Sequence, residues 1–155
     1  MKKTKENCVA LSEVAEIISP RRVEAQGLIL RISKVSYPLN PDVLPMEKAT
    51  SYLLKKGDLI LQNLGSPDVY LACDDNLSDI YVSRFDVVIK CTKISAEYLF
   101  LYLASAEGQK ALKAIQTGTM VKNIPLRDLR KLTIPLPDKT ADTYEKEFRE
   151  KYLNT

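Results

Sequence analysis

The sequence predicts an α+β fold: a mixed, twisted β-sheet in the N-terminal two-thirds, packed with short helices, and a helix at the C-terminus. Apolar residues alternate at Leu28, Leu30 and Ile32, at Val69, Leu71 and Cys73, and at Phe85, Val87, Ile89 and Cys91. That period of two belongs to half-buried strands. From Ser95 onward the pattern changes. Leu99, Leu103, Ala111, Leu112 and Ile115 are spaced as on helix faces, and Ser95, Ser105 and Gly118 stand where two helices would be capped or ended. Strands followed by helices make an α+β arrangement, and 155 residues can enclose a core without disulfides or metal.

Taken in order, residues 9–18 read as a short helix capped by Ser12, with Glu13 and Glu16 in its first turn and Val14, Ile17 and Ile18 on one face. Ser19-Pro20 ends it. Residues 27–33 form a strand, and residues 37–47, with Pro38, Pro41 and Pro45, an irregular loop. Lys55-Lys-Gly-Asp58 is a turn into the strand Leu59–Asn63, followed by the loop Leu64-Gly-Ser-Pro67. Gly57, Gly65 and Gly118 are turn positions rather than contacts. Pro125 opens a short helix carrying Leu126 and Leu129. Leu132–Pro137 alternates, but its prolines limit it to an edge strand. Residues 140–152 form a charged helix with Tyr144, Phe148 and Tyr152 at fourfold spacing.

The chemistry of many enzymes is excluded. The sequence has no histidine, which removes Ser-His and Cys-His pairs and histidine metal sites. Lys55-Lys-Gly lacks the upstream glycine of a phosphate-binding loop, and no Gly-x-Gly turn follows a strand. A Mg²⁺ nuclease needs two carboxylates and a lysine. Pro67-Asp68 offers the first, but Val88-Ile-Lys90 has valine where the second belongs. Cys8, Cys73 and Cys91 are far apart and odd in number, as free thiols in a reducing compartment. No apolar run has the length of a membrane span, and the N-terminus lacks a secretory h-region. A cytoplasmic protein is the expectation. The net charge is only +3, yet Gly108–Lys131 holds Lys110, Lys113, Lys122, Arg127, Arg130 and Lys131 against Asp128 alone. That bias suits phosphates, or a solvated face beside acids from elsewhere.

Two neighbouring segments carry a family resemblance. Tyr98-Leu-Phe-Leu-Tyr-Leu-Ala-Ser-Ala-Glu-Gly-Gln109 and Gly118-Thr-Met-Val-Lys-Asn-Ile-Pro-Leu-Arg-Asp-Leu-Arg-Lys-Leu-Thr-Ile-Pro-Leu-Pro137 resemble the closing half of a target recognition domain. Such domains belong to the DNA-specificity (S) subunit of type I restriction–modification systems. The opening Val9–Ile17 and the turn and strand Leu54–Leu61 look similar too. The resemblance implies a recognition domain over residues 1–137. Residues 138–155 would be a shortened equivalent of the family's coiled-coil helix. It also implies sequence-specific recognition of double-stranded DNA without catalysis and without a cofactor, with methylation and cleavage left to other subunits. The partners implied are methyltransferase subunits, and a homodimer or a second specificity half meeting the aromatic row Tyr144, Phe148 and Tyr152, with folding back on the domain as the other way to cover that row. The alternative is an interaction module of the same fold that has lost DNA binding.

Reading DNA needs phosphate contacts for register and side chains that reach base edges, where Arg can bridge guanine and Asn or Gln adenine. The candidates in strand-end loops are Arg21, Arg22, Lys34, Gln62, Asn63, Ser66, Arg84, Thr119, Lys122 and Asn123. Six of them have a plainer reading: a solvated pair for Arg21 and Arg22, an ion pair for Arg84, helix-end capping for Thr119, Lys122 and Asn123. Tyr98 and Tyr102 are expected in the core rather than as a stacking platform.

Overall fold

The computed structural model describes residues 7–20, 22–31, 42–50, 52–73 and 80–153. In chain order the elements are β1 (Cys8–Ala10), α1 (Leu11–Val14), β2 (Ala15–Ile18), β3 (Arg22–Arg31), β4 (Asp42–Thr50), β5 (Leu59–Gln62), β6 (Val69–Leu71), β7 (Ile80–Tyr81) and β8 (Asp86–Cys91). The helical third follows: α2 (Ala96–Ala104), α3 (Ala106–Ala114), α4 (Leu126–Lys131), the short strand β9 (Thr133–Pro135) and α5 (Ala141–Phe148), which runs into a π-helical turn, Arg149–Leu153. The fold is α+β, as the sequence predicts. Its strands divide into an antiparallel pair β1-β9, a four-stranded sheet β2-β8-β5-β6 and a three-stranded sheet β4-β3-β7. The third is mixed, since β3 pairs antiparallel with β4 and parallel with β7.

The four-stranded sheet is buried on both faces, and its register shows how. Ala15, Leu59, Leu61, Leu71, Val87 and Ile89 point into one core, which the helices close with Leu99, Phe100, Leu103, Leu112, Leu129, Tyr144 and Phe148. Between them, Ile60, Tyr70, Ala72 and Val88 point the other way and meet Leu54 and Val82. Successive side chains of a strand alternate faces, so runs such as Leu59-Ile-Leu61 are apolar throughout because both sides are covered.

That double burial accounts for the first correction. Residues 9–18 are not one helix. Only Leu11–Val14 makes a helical turn, its N-cap is Ala10 with no side-chain bond, and Ser12 caps nothing. Ala15–Ile18 is a strand paired with β8. Ile17 joins the first core and Ile18 the second, a pattern that spacing alone reads as a helix face. The second correction is Pro45, which lies in β4 opposite Leu28 rather than in a loop. β4 is an edge strand, where a missing N–H can be tolerated. Third, Phe85 does not join the alternation of β8. It sits in the turn before that strand, 47% exposed.

The helical third follows its caps. Ser95 accepts a hydrogen bond from the Tyr98 N–H and Ser105 one from the Gly108 N–H, each satisfying an otherwise orphaned donor. α2 packs so tightly on α3 that a Cβ at Gly108 would lie 1.9 Å from the Tyr102 carbonyl oxygen. Tyr98 is buried and its hydroxyl donates to the Pro135 carbonyl, a core role and not a stacking platform. β9 is a short edge strand against β1.

The aromatic row of the last helix is a further correction. Instead of forming an association surface, it folds back on its own domain. Tyr144 meets Tyr98 at a centroid distance of 4.7 Å, and Phe148 and Tyr152 lie edge-on to Phe100 at 5.3 and 5.0 Å. Tyr144 and Phe148 are buried against their own domain, so these two side chains are not presented to a homodimer or a second specificity half. Thr140 caps α5.

Candidate nucleic-acid interface

Several chain segments converge at one end of the four-stranded sheet. β5 ends at Gln62 opposite Asp86, where β8 begins, and β6 begins at Val69 opposite Leu61. β2 leaves the sheet at the same end, with Ile18 opposite Val88. The loop after β5, the turn before β8 and the exit of β2 are therefore neighbours.

A hairpin between α3 and α4 completes the cluster. Thr117 and Asn123 exchange backbone bonds of 2.7 and 2.9 Å, and the Thr117 hydroxyl donates to Asn123 Oδ1 at 3.0 Å. Gly118 has φ +105, and a Cβ there would come within 2.4 Å of the Val121 carbonyl oxygen. Only glycine suits that turn.

Loop and hairpin are laced together. The Gly65 N–H donates to the Lys122 carbonyl at 2.9 Å, and the Gln116 side chain donates to the Gly65 carbonyl at 2.7 Å. Asn63 donates to the Ile124 carbonyl at 3.1 Å and accepts from the Ile124 N–H at 2.6 Å. Behind the loop, the Gln109 amide donates to the carbonyls of Pro67 and Leu103, both at 2.9 Å.

Of the residues named from sequence, the structure brings together Gln62, Asn63 and Ser66 with Thr119, Lys122 and Asn123. Their duties differ. Asn63 spends both ends of its amide on the backbone of Ile124. Gln62 donates to the Ser66 carbonyl at 2.8 Å and Ser66 to Asp68 at 3.0 Å, so both shape their own loop. Thr119, Lys122 and Asn123 are exposed. Arg84, in the turn beside Asp86, lies over the Phe85 ring at 4.2 Å and makes no ion pair among the described residues. Arg21 and Lys34 lie outside the described residues, and Arg22 opens β3 with its side chain outside them. Gln109 and Gln116, which position the loops, were not among the candidates, although Gln109 closes the first quoted motif.

The electrostatics favour an anion. Lys110, Lys113, Lys122, Arg130 and Lys131 are exposed and make no ion pair among the described residues, while Arg127 only approaches Asp128 at 3.9 Å. The basic segment thus enters and leaves the hairpin largely unneutralised. Beneath the loop, burial pushes the Asp86 carboxyl up to about 7, against the opposing hydrogen bond from the Asn63 backbone. Near neutrality this acid carries only part of its charge.

Asp68 and Lys90, the pair a nuclease reading rests on, are not brought together. Asp68 lies beside the loop end of β5, whereas Lys90 lies beyond Ile89, which pairs with Leu59 at the other end of that strand. Lys90 bonds there to Tyr52 at 2.7 Å and to the buried Asp58 at 3.3 Å. The three cysteines are free and half-buried, and burial, with Glu97 adding to it, pushes the Cys91 thiol up to about 12. No helix among the described residues is long and apolar enough to cross a membrane.

No protein-family model matches the chain, and no curated protein does. Solved structures do match. The S subunit of a type I restriction–modification system from M. genitalium superposes with a TM-score of 0.57 at 15% identity, over 92% of this chain and 36% of that one. The HsdS subunit from Thermoanaerobacter tengcongensis gives 0.63 at 18%, over 92% and 40%. A chain from a structure on complex assembly and conformational transition of the type I R-M system gives 0.63 at 20%, over 92% and 39%. The fold is shared with a part of type I S subunits. This chain spans 36–40% of the length of the three matched chains.

Proposed function

We propose that the chain is a non-catalytic target recognition domain that binds double-stranded DNA with the loop end of its four-stranded sheet. The observation that carries this reading is the lacing of the Gln62–Asp68 loop to the Thr117–Asn123 hairpin, which presents Lys122, Asn123 and Thr119 outward between two basic helices. Exposed cations without partners bind phosphates, and pre-ordered polar side chains between them reach base edges. Arg84 belongs to the same face, while Gln62, Asn63 and Ser66 support it from within. The shared fold with S subunits points the same way. Through it the domain would work with a second recognition half and with methyltransferase subunits of a type I complex, in the cytoplasm, directing modification and restriction to a split site.

Fluorescence anisotropy of a labelled duplex, titrated with the full chain at several salt concentrations, tests this. The expected dissociation constant is about 10⁻⁴ to 10⁻⁶ M at physiological salt, rising steeply with added salt. Each cation removed from the interface should flatten the log–log salt slope by about 0.9. Lys122→Ala and Lys113→Ala are expected to do so, and Lys146→Ala on α5 is not. Absence of binding at low salt, or binding indifferent to salt, overturns DNA recognition and leaves the interaction-module alternative.

A further inference from the structure

The hairpin tip carries a feature that phosphate binding does not use. Met120 is 95% exposed and Val121 58%, though an apolar pair costs solvation there and a turn needs neither side chain. Their backbone is not loose. The Thr117–Asn123 pair closes the hairpin, Gly118 turns it, Gly65 braces it from the adjoining loop, and Gln116 at its root ties back to Gly65. Thr119 and Lys122 flank the pair, and Asn123 closes the turn. The result is a narrow apolar point on a rigid, cationic support.

Two side chains are too few for the core of a protein–protein interface, which takes about 800 Å² from each partner. A point between cations suits a polyanion with an apolar interior, and stacked base pairs are one. Proteins that bend DNA insert Met, Leu, Ile, Phe or Pro between base steps, and an unbranched thioether is slender and polarisable enough to enter such a gap. Resting on the DNA-binding reading above, we propose that Met120, backed by Val121, is a wedge that partly unstacks one base step of the bound duplex and kinks it. Specificity would then include the deformability of that step, with pyrimidine–purine steps favoured because they open most readily.

The test uses the full chain and a short duplex carrying a donor dye at one end and an acceptor at the other. Anisotropy on the same duplex reports binding, and energy transfer at saturation reports bending. The parent chain is expected to raise the transfer. Met120→Ala is expected to return it to the free-duplex value while weakening binding by about tenfold or less, since phosphate contacts hold most of the affinity. Its thermal melt should match the parent's, because the side chain touches little. A parent chain that binds but leaves the duplex straight overturns the wedge and leaves DNA recognition standing. So does a bend that survives in Met120→Ala. Failure to bind at all overturns both.

Discussion

Asn63 and Ile124, 61 residues apart in sequence, are joined by both ends of one carboxamide: Asn63 Nδ2 donates to the Ile124 carbonyl and Oδ1 accepts from the Ile124 N–H. Ile124 is buried, so its backbone groups have no easy recourse to water. The clamp fixes the loop after β5 against the root of the hairpin, and the geometry of the proposed DNA face depends on it.

Asn63→Ala should therefore destabilise the fold even though the residue does not belong to the core. Leaving two backbone groups without partners should cost on the order of 1–3 kcal/mol. Denaturant unfolding would measure the loss. Hydrogen exchange should report faster exchange of the Ile124 and Gly65 amides, with helix α2 unchanged. An Asn63→Ala variant as stable as the parent would mean that the clamp is incidental.

Leu112→Ala tests the first core from the helical side. Leu112 is fully buried in the cluster shared by α2, α3 and the four-stranded sheet. Truncating a buried leucine costs about 2–5 kcal/mol, the spread reflecting how far the site can collapse. A midpoint shift in a urea melt equivalent to less than about 0.5 kcal/mol, the range of surface substitutions, would contradict this packing.

Phe148→Glu separates an interior helix from an association surface. Phe148 packs against Phe100 and stacks on Tyr152 at a centroid distance of 5.3 Å. Removing such a ring costs about 3–5 kcal/mol, and an unpaired carboxylate in its place adds desolvation. The variant should melt far below the parent. Wherever it remains folded it should sediment at the parent's mass. A change of mass without loss of stability would return the aromatic row to an interface role.

The helical third was legible because its signals are local. Ser95 and Ser105 cap helices whose apolar faces follow at three- and four-residue spacing, and Gly118 occupies a turn that excludes a side chain. Ala15–Ile18 was not, because Ile17 and Ile18 turn to opposite cores, and two adjacent apolar residues break the alternation and mimic a helix stripe. Pro45 misled for the opposite reason: a local prohibition on proline lapses at a sheet edge. The row Tyr144, Phe148, Tyr152 announced that a face would be covered, but spacing does not say by what, and its partner Phe100 lies far earlier in the chain. The site divides in the same way. Thr119, Lys122 and Asn123 could be read from one segment. That Asn63 is a clamp and not a base reader could not, since a hydrogen bond across 61 residues leaves no periodic trace.

Asp86 gives the fold a pH dependence whose sign can be derived. Burial raises its carboxyl from 3.8 to about 7 in the folded chain, while the unfolded chain keeps the ordinary value. Below about pH 4 both states hold the proton and Asp86 lends its full stabilisation. As the pH rises toward 7 the unfolded state releases its proton and the folded state resists, so stability is lost across that window and levels off above it. The loss should be on the order of 2–4 kcal/mol between about pH 4 and pH 8. Asp86→Asn keeps the shape and an acceptor for the Asn63 N–H while removing the titration, so it should flatten the profile. Urea unfolding of parent and variant at intervals across that range decides the matter. A parent whose stability holds or rises through it, or a variant that shows the same fall, would place the titration elsewhere.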